Sequence, residues 1–290
     1  MPTITALTLY PIKSCAGMAL QEAMVTDAGL SHGPVCDREW MLVDSDGQFL
    51  TQREHPKMAL IRPSLAGGQL VLQAPGVAPL TLPLERRDAA HMRTVQVQVW
   101  DDILPASDEG ESSARWCSDV LGIACRLVRF HPDARRVANN KWTDGQDVPT
   151  RFSDGYPLLL ISEASLADLN QKLLANGQSA VPMNRFRPNI VIDGVEAFEE
   201  DYAESLNTDC GGTKAEMICL KPIKPCPRCP MPAVDQATAE VGFNPVDTLQ
   251  SYRSNALMDG AVTFGMNVIV SQGAGQFLHV GDALELHLAF

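Results

Sequence analysis

The chain has 290 residues, enough for one large domain or two of ordinary size around a sizeable core. It is 45% hydrophobic and 20% charged, as globular proteins are, and no apolar run approaches the roughly 18 residues of a membrane helix. A net charge of −12 argues against a nucleic-acid binder, which needs a basic footprint.

The first residues, MPTITALTLYPIKSC, have neither the basic and apolar regions of a secretion signal nor the Arg-rich amphipathic character of a transit peptide. A cytoplasmic protein with no membrane span is therefore expected. Eight cysteines (15, 36, 117, 125, 210, 219, 226 and 229) are too sparse for a disulfide scaffold, and in that compartment they are mostly reduced thiols. Cys117 and Cys125 sit among apolar neighbours and read as core packing.

Strand patterns dominate the first hundred residues. ITALTLY alternates, DREWMLVD and DGQFLTQRE read as a hairpin about an Asp-Gly turn, and SLAGGQLVLQAPGVAPLTLPL reads as short strands broken by Gly and Pro. TVQVQVW is a strict period-two run. A helix is predicted over 111–122, with apolar positions at Ala114, Trp116, Cys117, Val120 and Leu121 and a stop at Gly122. The polar stretch 131–155 lacks periodicity and is long for a loop, a length at which loops are often functional. The domain boundary is placed there, giving units of 1–130 and 131–290. A second helix starts at Ser162 as N-cap, carries a stripe of Leu166, Leu169 and Leu173, and ends at Gly177. NIVIDG, EMICLKPI, MNVIVSQ and HVGDALELHL are strand-like again. The fold class is mainly β with a few helices (α+β).

KPCPRCPMPAVD holds a CxxC between prolines. A structural zinc site wants a second ligand pair, which the sequence does not offer at a suitable spacing. A thioredoxin-like dithiol wants a helix to begin after its first cysteine, and Pro230 and Pro232 follow instead. The open alternatives are an unremarkable loop and one thiolate on a rigid backbone serving a soft metal, with Arg228 favouring ionisation. Lys13, Arg38, Arg185, Arg187 and Arg228 stand on separate short segments of an acidic chain, which suits a bound oxyanion such as phosphate if they converge. SDGYP, just before the second helix's strand, is a turn whose backbone N–H groups are candidate anion donors.

YPIKSCAGM, DREWMLVD and TQREHPKMALI together resemble the N-terminal β-barrel domain of MOSC proteins. FSDGYPLLLISEASLADLN, NRFRPNIVIDG, CPRCPMPAVDQATAE, TLQSYR and the closing VGDALEL resemble the MOSC domain itself. In this order and over nearly the whole chain, the segments are similar to those of the mitochondrial amidoxime-reducing component and its bacterial counterparts. The resemblance implies a β-barrel-like N-terminal domain, a MOSC β-barrel domain, and a molybdenum cofactor (Mo-molybdopterin) held between them. It selects Cys229 over Cys226 as the molybdenum ligand and catalytic residue, a choice that spacing alone does not make. It further implies cofactor contacts at Lys13, Ser14, Arg38, Arg187, Asn189, Pro227 and Arg228. Gly155 and Tyr156 fall where the mitochondrial protein has small hydroxyl residues, so a backbone contact is expected there. Asp235 and Arg253 match family positions without an assigned role. The implied reaction is reduction of small N-hydroxylated compounds, with electrons from a separate ferredoxin-, flavodoxin- or cytochrome-type protein. A carrier of cofactor or sulfur without turnover is the alternative.

Overall fold

The computed structural model describes residues 1–85, 93–208 and 217–289; Cys210 lies outside them. The first half supplies β1 (Thr3–Leu9), β2 (Met18–Leu20), β3 (Glu22–Thr26), β4 (Gly29–His32), β5 (Val35–Cys36) and β6 (Trp40–Val43). β7 (Arg62–Ala66), β8 (Gln69–Gln73), β9 (Leu80–Pro83), β10 (Thr94–Val99), β11 (Asp102–Asp108), α1 (Glu111–Leu121) and β12 (Arg126–Phe130) follow. Then come β13 (Leu158–Ser162), α2 (Glu163–Ala175), β14 (Ile190–Asp193), β15 (Ala203–Thr208), β16 (Cys219–Pro227), α3 (Pro245–Gln250), β17 (Thr263–Gln272), β18 (Phe277–His279) and β19 (Leu284–Leu288). The expected class, mainly β with a few helices, is what the chain adopts.

The largest sheet runs β19-β15-β16-β17-β13-β14-β1-β2. Its far edge is N-terminal: β1 lies antiparallel to β14, with Leu7 opposite Ile190. In exchange, β18 from the C-terminal end pairs with β3 in the small sheet β18-β3-β4-β5. Strands from both sides of residue 130 therefore share sheets. One core cluster runs through Leu7, Leu9, Trp40 and Leu42 to Leu158, Leu160, Ile190 and Val268.

Helix α2 begins as its sequence indicates. The Ser162 hydroxyl accepts from the Ser165 N–H at 3.1 Å. Its end is shifted by one residue: Asn176 is the C-cap and Gly177, at φ +74°, is the next position. Gln178 N–H bonds the Leu173 carbonyl and Gly177 N–H that of Leu174, the paired closure that a left-handed glycine permits. Gly265, at φ +76°, serves a different need. A Cβ there would stand 2.7 Å from the Leu160 carbonyl oxygen, so its absence lets β17 lie against β13.

The expected hairpin after β6 is only half formed. Leu50 N–H returns to the Leu42 carbonyl, but Gln48 leaves to bridge Gln98, and β6 takes β12 as its full partner. β12 itself carries no alternation to betray it, because four of its five residues are buried. Strand β16 was legible only in its first half. It continues through Pro222, Pro225 and Pro227 because β15 pairs with it only as far as Leu220, leaving one side unpaired where prolines need no partner.

A buried carboxyl secures the start of α2. Glu200, 0% exposed, accepts from Ser162 N–H at 3.0 Å, Ser162 Oγ at 2.9 Å and Ser165 Oγ at 2.7 Å. Glu200→Ala strands these donors, and a loss of roughly 2–4 kcal/mol in urea unfolding is expected. Burial raises the Glu200 pKa against the opposing serine hydrogen bonds. Its stabilising protonation is thus complete below the ordinary carboxylate range and fades as pH rises through the raised value. Glu200→Gln, uncharged throughout, should remove that slope; an unchanged pH profile would contradict it.

Candidate functional site

Lys13, Ser14, Arg38, Gly155, Tyr156, Arg187, Asn189, Pro227, Arg228 and Cys229 all line one cleft, together with Cys226 and Asp154. The cleft forms where the chain's two halves meet. Its cations converge, although the protein's net charge is −12.

Asn189 ties the walls. Its Nδ2 donates to the Thr8 carbonyl at 3.1 Å and to Asp37 Oδ1 at 3.0 Å, while Oδ1 accepts from Leu159 N–H and Arg38 Nη1, each at 3.2 Å. Both amide hydrogens and both lone pairs are then used, so this side chain positions the site. Arg38 is held by Asp37 and lies 4.3 Å from the Tyr10 ring centroid. Burial raises the Asp37 pKa, with the Arg38 cation opposing it.

Lys13 is buried, donating to the Phe152 carbonyl at 2.9 Å and pairing with Asp154. Burial presses its pKa down, with Asp154 opposing. The Asp154 carboxyl is itself 72% exposed. The turn after it is organised by Arg136, a residue that sequence reasoning missed. Its guanidinium bonds the carbonyls of Arg151 at 3.0 Å, Ser153 at 2.5 Å and Asp154 at 3.2 Å, and is itself anchored by Asp102 at 2.7 Å. One arginine of an adjacent pair in an aperiodic stretch gave no signal of this.

Three lining residues sit in the left-handed region: Ser14 at φ +63°, Arg38 at +47° and Arg187 at +60°. Such backbone costs of order 1–3 kcal/mol each and concentrates at functional sites. At Arg187 the result is a residue only 7% exposed, with its guanidinium 4.3 Å from the Tyr10 centroid and its Nη2 without a partner among the described residues. Burial works against its charge, and the Arg38 cation adds to this.

The CxxC segment leaves β16 at the cleft. Arg228 Nη1 donates to Cys226 Sγ at 3.3 Å and Nη2 to the Phe186 carbonyl at 2.9 Å, while Nε is buried without a partner among the described residues. Cys226 is therefore more than a packed bystander: it is half-buried and fixes the guanidinium. Cys229 is half-buried too. A turn at Met231–Ala233 follows, clamped by Arg185, which donates to the Pro232 and Ala233 carbonyls at 3.1 Å and to Asp235 at 2.8 Å. Arg185 thus departs from the expected cation set, since it braces the loop and does not line the cleft. Arg253 likewise serves structure, pairing with Asp201 and lying 4.1 Å from the Phe198 centroid. The Tyr156 ring packs with Ala138, Val148 and Ile269, and burial pushes its hydroxyl up to about 12. The backbone N–H groups of Asp154 and Gly155 make no hydrogen bond among the described residues.

This is a mainly β protein with a cleft that gathers cationic side chains beside a cysteine pair. Residues 1–124 match the MOSC N-terminal beta barrel domain and residues 147–285 the MOSC domain. The mitochondrial amidoxime reducing component 2 of Rattus norvegicus is 36% identical, over 97% of this chain and 82% of its own. The mitochondrial amidoxime-reducing component 1 of Homo sapiens is 34% identical, over 87% and 72%. The molybdenum cofactor sulfurase of Danio rerio is 34% identical, over 99% of this chain and 34% of its own. The chain belongs to the family that joins a MOSC N-terminal β-barrel domain to a MOSC domain, alongside the amidoxime-reducing components.

A buried arginine without a counter-charge destabilises a fold until an anion meets it. Arg187→Met should therefore leave anion-free protein as stable as wild type. Added inorganic phosphate should raise the melting temperature of wild type and raise that of the variant much less. A destabilised variant beside a wild type that ignores phosphate would contradict this account of the cleft.

Proposed function

We propose that the protein is a molybdenum-cofactor-dependent reductase of N-hydroxylated compounds: amidoximes, hydroxylamines and N-hydroxylated bases. The observation that carries the reading is the cleft. There, orphaned N–H donors of Arg187 and Arg228 adjoin a cysteine pair, in a chain related over most of its length to amidoxime-reducing components. The donor set fits the group: guanidinium and ammonium for a pterin phosphate, and a soft thiolate for molybdenum.

In this reading Arg187 and Arg228 hold the phosphate through their unpartnered nitrogens, with Lys13, Arg38 and the free backbone N–H groups at Asp154 and Gly155 in support. Cys229 is the metal ligand. When bound, the cofactor supplies two-electron redox chemistry at molybdenum. Each turnover takes a pair of electrons and a pair of protons, cleaves the N–O bond and releases water. The electrons come from a separate ferredoxin-, flavodoxin- or cytochrome-type protein. The reading keeps the protein in the cytoplasm; among the described residues no helix is long and apolar enough to cross a membrane. A cofactor or sulfur carrier is the second reading, favoured by the match to a molybdenum cofactor sulfurase across 99% of the chain.

Protein from a host that makes the cofactor should contain about one molybdenum per chain and reduce benzamidoxime with a reduced viologen dye. Cys229→Ser replaces a soft thiolate by a hard hydroxyl, so activity per bound molybdenum should vanish and X-ray absorption should count one sulfur fewer. Cys226→Ser keeps an acceptor for Arg228 and should retain most activity. Fully loaded, dye-inactive wild type would favour the carrier, and a larger loss at Cys226 would move the ligand to that residue.

A further inference from the structure

Beside the cleft runs an open groove that shares Asp154, Tyr156, Cys226 and Asn267 with it and has Lys224 in its wall. Lys224 is half-buried, two residues before Cys226. Its ammonium lies 5.4 Å from the Tyr156 ring centroid and 5.9 Å from that of Trp142, within the reach of cation–π attraction. The surroundings differ from those of the chain's paired lysines. Lys13 meets Asp154, Lys172 meets Asp168 and Lys221 meets Asp144, whereas no carboxylate among the described residues pairs with Lys224. Of the four carboxylates that line the groove, Asp102 is engaged by Arg136 and Asp154 by Lys13, while Asp101 and Asp147 are exposed to solvent and make no ion pair with Lys224 or any other cation among the described residues. Lys57 and Lys141 also lack ion pairs among the described residues, but both are exposed and solvated. Burial pulls the Lys224 pKa down; Cys226 opposes this and the neighbouring Lys141 adds to it.

A cation held partly out of water on aromatic faces, with no carboxylate paired to it among the described residues, is a receptor for an anion. We propose that Lys224 is an anion subsite, and that the substrate bound in this groove carries a carboxylate or phosphate besides its N-hydroxyl group. Naming the substrate in this way rests on the reductase reading above. A phosphate of an extended cofactor is the other source of the same chemistry.

The test uses the full, cofactor-loaded chain and two matched substrates, benzamidoxime and 4-carboxybenzamidoxime. Wild type should favour the carboxylated compound in kcat/KM by about tenfold, the discrimination one charge-assisted hydrogen bond gives. Lys224→Gln should collapse the ratio toward unity, and Lys224→Arg should keep it. The same ratios should appear without turnover, in calorimetric binding of 4-carboxybenzamidine against benzamidine to oxidised protein. Equal affinities in wild type would overturn the proposal. Lys224→Gln protein that loses cofactor while keeping the ligand ratio would overturn the substrate assignment in favour of the cofactor's phosphate. A binding preference that disappears in Lys224→Gln, in protein that reduces neither substrate, would sustain the anion subsite while removing the reductase reading.

Discussion

The tie made by Asn189 is the constraint on which the site depends. Through one side chain it joins β1 at Thr8, the turn at Asp37 and Arg38, and β13 at Leu159. Its backbone repeats the joint, with N–H on the Leu159 carbonyl and carbonyl on the Thr8 N–H. A fully satisfied polar network of this kind holds a single geometry, because breaking any bond leaves a buried group unpaired. The segments it joins carry three of the four cleft cations: Lys13 follows β1, Arg38 lies in the turn, and Arg187 precedes Asn189 by two residues.

Each guanidinium in the cleft is steadied from behind and left incomplete in front. Arg38 spends donors on Asp37 and Asn189, Arg228 on Cys226 and Phe186, while Arg187 rests on Tyr10 and makes no ion pair among the described residues. Side chains fixed in this way lose little freedom when an anion arrives, so the binding entropy is largely spent during folding. The acidic remainder of the molecule, in turn, repels anions except where this patch opens.

How much of this the sequence disclosed follows from the range of the forces involved. Period-two patterning reports which face of a strand is buried, so β1 and β10 were legible, as was α2 from its Ser162 cap. β12 escaped because burial on both faces erases that period. The candidate residues were chosen through family resemblance, and their convergence lay beyond local pattern, since β1 meets β14 across some 180 positions of chain. Arg185 and Arg187 show the limit most clearly. They are two residues apart and alike in sequence, yet the left-handed backbone at Arg187 turns one into the cleft while the other braces the Met231–Ala233 turn. Nothing local in MNRFRPNI marks a non-glycine residue for that conformation. Arg136 was missed for a related reason: its partners are backbone carbonyls, which every sequence has.

The proline-caged CxxC can now be given a physical role. A strand paired on both sides could not hold Pro222, Pro225 and Pro227; one paired only with β17 can, and its register shifts at each proline step. Prolines on that free side supply no N–H groups for another strand to dock on, which keeps the edge open as a groove wall. They also fix φ along the approach to the cysteines, so Cys226 and Cys229 enter the cleft from a stiff backbone. Arg228 N–H on the Val262 carbonyl pins the segment between the two cysteines, and Arg185 locks the turn beyond them. The same one-sided strand thus accounts for two features at once: a rigid mount for the cysteine pair at the cleft, and a neighbouring lysine in the wall of a groove.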